Sequence, residues 1–368
     1  KSEYQRNRMF NVKKIIVMKK VLSIIVLCAV CLIGFNSCQS KHEVKIIKVG
    51  AVLPMTGSLS GLGTSIKGGL ELAINELNAD SVKYELIVED VASEQRNVIT
   101  AYNKLKVSGV DIFVTAGSAY SLALKPNAIR DNKLLFCIAS HPGITKDENW
   151  EMFKIGNSSV EESEAIVKYL KQYTGKLALL YPNTEYGIPF EETICRNQRD
   201  IILKKYDESK DDYKNDIQSV IKEKPERIIL IGFSSSMGKV LKSIKAYDFK
   251  GEIICNLGLT NSDVMKAAGD AIVDTYYIDY DINKNAETTK RNQFLLEKYH
   301  TNFSSTSYLA YAIPFCIDAS YANLRTDIKK ASENIKGLKE LYVNKEYLFQ
   351  IDTNGDVRPT LTIKKYEL

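Results

Sequence analysis

KIIKVGAVLPMTGSLSGLGTSIKGGLELAINELN, residues 45–78, decides the fold. Its first nine residues, KIIKVGAVL (45–53), form an apolar run of the kind a strand buried on both faces requires. A Gly/Ser loop follows at 57–63. From 64 to 78 the apolar residues Ile66, Leu70, Ala73, Ile74 and Leu77 recur at helical spacing, so one face of a helix is apolar. Strand, small-residue loop and helix together make the opening unit of a parallel α/β sheet.

The same alternation runs outward from this stretch. Strand YELIVE (84–89), a helix over 95–107, strand VDIFVTA (110–116), a helix over 121–131 and strand KLLFCIA (133–139) follow in turn. It then restarts. A helix over 160–173 precedes strand KLALLY (176–181), and a helix over 187–199 leads to strand IILKKY (201–206). Next come a helix over 211–223, strand RIILIGF (227–233), a helix over 236–247, strand EIICN (252–256) and, after a short helix, a strand over 272–281. The fold class is therefore α/β, with two doubly wound, Rossmann-like lobes. Residues 285–300 and 307–323 read as helices with apolar stripes. YLFQ (347–350) and TLTIKKY (360–366) read as strands flanking the turn DTNGD (352–356), where Asn354-Gly355 is a hairpin signal. Asp352, Asn354 and Asp356 do not make a calcium loop. The sixth position would be Val357 instead of Gly, and the twelfth Ile363 instead of Glu.

The chain has 368 residues, 45% of them hydrophobic and 26% charged, enough for two sizeable cores. Its net charge of +5 is local to the start. Residues 1–37 carry seven of the 50 Lys+Arg and one of the 45 Asp+Glu, so the remainder is close to neutral at −1. No basic surface for nucleic acid is implied. Residues 1–37 read as a leader, with Met18 the expected start of translation. Lys19 and Lys20 form a positive n-region, and Val21 to Phe35 is an apolar run too short to span a bilayer comfortably. The cleavage region LIGFNSCQS (32–40) resembles a loose bacterial lipobox, with Ser37 before Cys38 but Phe35 where a large aliphatic residue is usual. Cys38 is the expected lipidation site, and residues 38–44 the tether of a lipid-anchored protein.

Of the seven cysteines, Cys28 and Cys31 fall in the leader. Cys137, Cys195, Cys255 and Cys316 are 58, 60 and 61 residues apart, with no CxxC pair, so neither zinc nor a redox motif is indicated. Cys137 and Cys255 sit in strand-like runs and read as buried apolar residues rather than a disulfide. No cofactor motif is present. GTSIKGG (63–69) lacks the Gly-Lys-Ser/Thr of a phosphate loop, and Gly232-Phe233-Ser234 has Ser236 where a nucleophile elbow needs Gly. The three histidines, His42, His141 and His300, stand alone in sequence. An enzyme is disfavoured, and no catalytic residue or metal ligand is assigned.

VGAVLPMTGSLSGLG (49–63), GGLELAINELN (68–78), VEDVASEQRNVITAYNKL (88–105), LLYPNTEYGIPF (179–190), IGFSSSMGKVLKSIKAYDFKGEII (231–254), GDAIVDTYY (269–277) and FQIDTNGDVRP (349–359) occur in this order. Together they resemble the type I periplasmic binding proteins of the leucine/isoleucine/valine-binding branch, the substrate-binding lipoproteins of ABC transporters, over residues 45–368. The resemblance implies two lobes joined by three crossovers with ligand between them. Lobe 1 is expected at 45–155 plus 283–345, and lobe 2 at 156–282 plus 346–368. Sheet geometry independently puts a cleft at the carboxyl ends of the strands, in the loops after Leu53, Ala116, Ala139, Tyr181, Phe233 and Asn256.

The resemblance also implies site residues. AGSAYS (116–121) and IASH (138–141) match the segments that hold a ligand carboxylate, with Ser118, Ser121, Ala139 and Ser140 as candidates. Each serine is also a candidate helix cap. Tyr186 matches a tyrosine covering the ligand, and Phe233 lies at the loop after its strand. Three positions depart from the family. Leu257 stands where relatives place the acid that pairs with an ammonium, Leu62 where an aromatic residue is common, and Tyr120 where a carboxylate-binding serine is common. The pocket is thus expected to be more apolar and less suited to a zwitterion, so that the ligand is not an ordinary α-amino acid, or its ammonium uses another acid such as Glu185 or Asp279. The expected role is capture of a small amphipathic molecule, amino-acid-like or a related metabolite, by a monomer on the cell envelope that docks on an ABC permease. The alternative is a ligand-sensing envelope lipoprotein without a transport role. A DNA-binding repressor is disfavoured, because a signal peptide occupies the place of its helix-turn-helix.

Overall fold

A computed structural model describes residue 18 and residues 46–368, except residues 80, 82, 199, 283–284, 325, 344–345 and 368. Apart from Met18, the expected leader, Cys38 and the tether lie outside the described residues. Among the described residues no helix is long and apolar enough to cross a membrane.

The first half-unit runs β1 (Ile47–Leu53), α1 (Ser60–Leu77), β2 (Tyr84–Asp90), α2 (Val98–Val107), β3 (Ile112–Ala116), α3 (Ser118–Asp131), β4 (Leu134–Ile138) and β5 (Met152–Ile155). The second runs α4 (Ser159–Tyr169), β6 (Leu177–Pro182), α5 (Ile188–Asn197), β7 (Ile202–Tyr206), α6 (Lys214–Lys222), β8 (Arg227–Leu230), α7 (Ser235–Ala246), β9 (Glu252–Cys255), α8 (Ser262–Ala268) and β10 (Tyr276–Tyr280). Helices α9 (Ala286–Tyr299), α10 (Ser305–Asp318) and α11 (Ile328–Lys336) follow, then β11 (Glu340–Val343), β12 (Glu346–Ile351), β13 (Asp356–Arg358) and β14 (Leu361–Lys365).

Two sheets result. The first has the order β11-β12-β13-β5-β4-β3-β1-β2, and the second β14-β10-β9-β8-β6-β7. β1 to β5 pair in parallel, as do β6 to β10, and each set has the doubly wound order 2-1-3-4-5. In each sheet the order therefore reverses at the first strand, β1 or β6, and crevices open at the carboxyl ends there. Apolar layers cover both faces of both sheets. α1 and α10 cover one face of the first sheet and α2 and α3 the other. α6, α7 and α8 flank one face of the second sheet, and α4 and α5 the other.

The chain passes between the sheets three times: from β5 to α4, from β10 to α9, and from β13 to β14. This last crossing revises the expected boundary that put 346–368 in lobe 2. Residues 346–358 pair in the first sheet, with β13 parallel to β5, and only β14 joins the second, antiparallel to β10. The Asn354-Gly355 turn is present, and Gly355 has φ +91°. However, it joins β12 to β13, not to the TLTIKKY strand.

β5 escaped the sequence reading because Lys154 breaks its apolar run. That lysine is fully buried and pairs at 3.0 Å with Asp356, whose other oxygen accepts a 2.5 Å bond from Thr145. A buried charge stays only with such a partner, and this one lies 202 residues on in sequence. The four described free cysteines, Cys137, Cys195, Cys255 and Cys316, form no disulfide with one another. Cys137 and Cys255 sit in the middle of different sheets.

Candidate ligand-binding cleft

The carboxyl ends of the two sheets face one cavity of about 90 Å³ with an open mouth. From the first lobe it is bounded by Leu62 on α1, Gly117-Ser118 at the start of α3, Ile138 to Ser140 after β4, Ile155 to Asn157 after β5, and Ser305, Thr306 and Leu309 on α10. From the second lobe come Glu162 on α4, Tyr186 before α5, Phe233 after β8, Leu257, Gly258 and Asn261 after β9, and Tyr280 at the end of β10.

Backbone geometry builds the first wall. Gly117, the residue before α3, has φ +78° and ψ 152°, a region in which a side chain is strained. This conformation turns the chain sharply from β3 into α3 and brings the helix start to the cavity edge. The start of a helix carries unbonded N–H groups and partial positive charge, which favour an anion. Ser118 and Ser140 are 2% and 6% exposed, and among the described residues neither hydroxyl has a hydrogen-bond partner. Asn157 Oδ1 is likewise buried and unpartnered. A buried polar group without a partner is costly, so these atoms are where ligand atoms would be accommodated.

The second wall is aromatic and acidic. The Tyr186 ring lies 4.9 Å from Phe233 and 5.3 Å from Phe190, centroid to centroid. The Tyr186 hydroxyl accepts from Asn256 Nδ2, and Asn256 Oδ1 accepts from the Gly232 amide at 3.0 Å. This fixes the ring over the cavity. Gly258 permits the loop after β9 to approach, since a Cβ there would stand 1.8 Å from the Gly232 carbonyl oxygen. Glu162 is 2% exposed, and its Oε2 accepts a 3.3 Å bond from the Leu257 amide. Burial pushes its carboxyl up to about 8, against the smaller lowering effect of that amide. Burial also drives the Tyr186 and Tyr280 hydroxyls well above their ordinary value. The lobes touch directly where Asp263, in the first turn of α8, accepts a 2.8 Å bond from the Gly61 amide in the first turn of α1.

Of the residues singled out in sequence, Leu62, Ser118, Ala139, Ser140, Tyr186, Phe233 and Leu257 lie in the lining. Tyr120 and Ser121 lie elsewhere. Tyr120 is two residues, about 200° of helix, past Ser118. It packs into the core between the first sheet and α2–α3, where burial pushes its hydroxyl up to about 12. Ser121 Oγ donates back to the Gly117 carbonyl at 2.7 Å, a bond within the helix. Neither alternative acid reaches the cavity. Glu185 is exposed, and Asp279, which is not itself part of the lining, accepts from Ser305 and Lys364. The acid present is Glu162. In sequence it reads as an ordinary first-turn helix acid, beside the capping box formed by Ser158 and Glu161. Its one signal is its place four residues into a helix that begins just after a crossing between sheets.

Residues 46–313 match the periplasmic binding protein family. Leu/Ile/Val-binding protein homolog 2 of Brucella abortus is 24% identical over 310 residues, covering 80% of this chain and 81% of the relative. Leu/Ile/Val-binding protein homolog 1 of the same organism is 20% identical over 338 residues, 87% of this chain and 90% of the relative. Among solved structures, the branched-chain amino acid transporter substrate-binding protein LivJ from Streptococcus pneumoniae, in complex with isoleucine, superposes with a TM-score of 0.78 at 19% identity, over 88% of this chain and 96% of that one. A solute-binding protein of an ABC transporter from R. palustris, in complex with benzoate, superposes with a TM-score of 0.76 at 15% identity, over 88% and 93%. With two doubly wound lobes meeting at one cavity and a family match across most of the described chain, the protein belongs to the periplasmic binding protein family.

Proposed function

We propose that this protein is a lipid-anchored solute receptor of the cell envelope. It captures a small amphipathic carboxylate between its lobes and delivers it to the permease of an ABC importer. The observation that carries this reading is the first wall of the cleft. Two buried hydroxyls without a partner among the described residues, Ser118 at the start of α3 and Ser140 after β4, stand opposite an aromatic wall. Such a cavity fits a molecule with an anionic head and an apolar body. The ligands in the structures of the two solved relatives, isoleucine and benzoate, share that design. The lipid anchor rests on the LIGFNSCQS segment ending the apolar leader, and delivery to a permease on family membership. Closure of the lobes on ligand would present a joined face to the permease.

Thermal unfolding of the purified protein against amino acids, aliphatic and aromatic carboxylates, and the corresponding amides tests this. A ligand at a hundredfold excess over its Kd adds about 2.7 kcal/mol, a shift of several degrees. Carboxylates should shift the transition and their amides should not. Equal shifts with acid and amide would remove the anion-binding role of Ser118 and Ser140. Mass spectrometry of the mature N-terminus checks the anchor, since an unmodified Cys38 in membrane-extracted protein would exclude it.

A further inference from the structure

Glu162 is the single carboxyl group among the described residues lining the cavity, and it is almost fully buried. Among the described residues no Lys or Arg nitrogen lies within 4 Å of it. The cation that acts on it, Lys154 on β5, is committed to Asp356 at 3.0 Å. Its helix neighbour Glu161 is held by Arg358 at 3.1 Å. The groups facing Glu162 are therefore Glu161 from its own helix, Lys154 from β5, Tyr186 from the segment before α5, Tyr280 from β10, and Asn256 and the Leu257 amide from the loop after β9. The last two are donors directed at the carboxyl, an arrangement that suits its ionised form. A carboxyl meant to stay neutral and donate would instead face an acceptor. The opposite wall already supplies donors for an anion. What the second wall lacks is a positive partner for its acid.

Resting on the solute-receptor reading, we propose that Glu162 is the specificity-determining residue of the second lobe. From the first turn of α4 it receives a cationic amine of the ligand, the task that an acid in the loop after β9 could perform if position 257 were not leucine. Leu257 still takes part, since its backbone amide holds Glu162 while its side chain packs between cores of the two lobes. The selected ligands carry both a carboxylate and an amine. The pairing step leaves the ligand's bonds intact. The Glu162 carboxyl O–H breaks, its proton leaves to solvent, and the carboxylate accepts N–H bonds from the ammonium. Because burial holds the carboxyl protonated near neutral pH in the free cleft, capture of an amine is accompanied by proton release.

The test is isothermal titration of the purified full-length protein, in mild detergent, with the natural L-α-amino acids and their des-amino acids, such as isoleucine beside 3-methylpentanoate. Each titration is run at pH 7 in two buffers of different ionisation enthalpy. Wild type should bind at least one amino acid about 100-fold tighter than its des-amino partner, releasing close to one proton. Glu162→Gln should lose about 100-fold for that amino acid and release no proton, while its affinity for the des-amino acid stays within a few-fold. Glu162→Asp should recover proton release and part of the affinity. The unfolding transition of each variant without ligand controls for folding. Equal or tighter binding of des-amino acids by wild type, or amino-acid binding within threefold of wild type in Glu162→Gln, overturns the assignment and leaves the receptor reading standing. Binding of neither set by wild type overturns both.

Discussion

The two walls of the cleft are built on the same topology but present opposite chemistry. In the first lobe, the strand-to-helix turns offer neutral donors: Ser118, Ser140 and the start of α3. In the second, the first turn of α4 and the loops after β6 and β8 offer a buried acid and rings: Glu162, Tyr186 and Phe233. Both sheets run 2-1-3-4-5 and both open at their carboxyl ends, so topology places the walls without choosing their polarity. The choice is made by a few side chains on loops and helix starts. On the proposed reading, a ligand bridging the cleft would be oriented with its anionic end toward the first lobe.

The comparison can be broken most forcefully through pH. In the folded protein the Glu162 carboxyl titrates near 8 instead of its ordinary 4.5, so the native state holds an extra proton between those values. Stability of the ligand-free wild type therefore falls, relative to Glu162→Gln, as pH rises from about 4.5, by up to about 1.4 kcal/mol per pH unit. The difference levels off above pH 8 at a few kcal/mol. Denaturant titrations of both proteins at pH 4, 6 and 8 read it directly. A constant difference across that range would mean the acid is not buried as described, and the contrast between the walls would collapse.

Next in size is the first wall. Ser118→Ala with Ser140→Ala removes two donors to a charged group, worth about 1.5–3 kcal/mol each before allowance for non-additivity. Affinity for a carboxylate ligand should fall about 100-fold. Ligand-free stability should hold or rise slightly, because neither hydroxyl has a partner to lose. A drop in ligand-free stability with unchanged affinity would make these serines structural.

The smallest effect concerns the seam between the lobes. Asp263→Asn removes a charge from the start of α1 at the Gly61 contact, worth about 0.3–1 kcal/mol. Apparent affinity should drop two- to fivefold for every ligand alike, since closure and not recognition is touched. Small-angle scattering should show a larger radius of gyration without ligand and the same radius when saturated. A ligand-dependent loss would instead put Asp263 in the recognition site.

How much of this was legible in the sequence varied with the range of the interaction. The alternating strands and helices were readable because burial on both faces of a strand, and on one face of a helix, leaves local periodic patterns. The cleft residues at strand ends followed from the same reading. β5 and β13 were missed because they are four and three residues long, and Lys154 disguises the first as polar. Tyr120 was misplaced because a matched position gives its place along the helix, while the 100° turn per residue decides which wall it meets.

The amino-acid sequence by itself determined two doubly wound lobes, a cleft at their carboxyl ends and the hydroxyl-bearing turns of the first wall. Each depends on periodicity or turn chemistry within some twenty residues of chain. The folded structure was needed to show that the C-terminal hairpin belongs to the first sheet, that Lys154 is neutralised by Asp356, and that Glu162 lines the cavity and accepts from the Leu257 amide. The reason is common to all three. Strand partnership and charge compensation are settled by proximity in space, and Asp356 and Leu257 approach their partners across separations of 202 and 95 residues. Local pattern carries no record of such contacts, because the desolvation that makes them matter exists only once the lobes have formed.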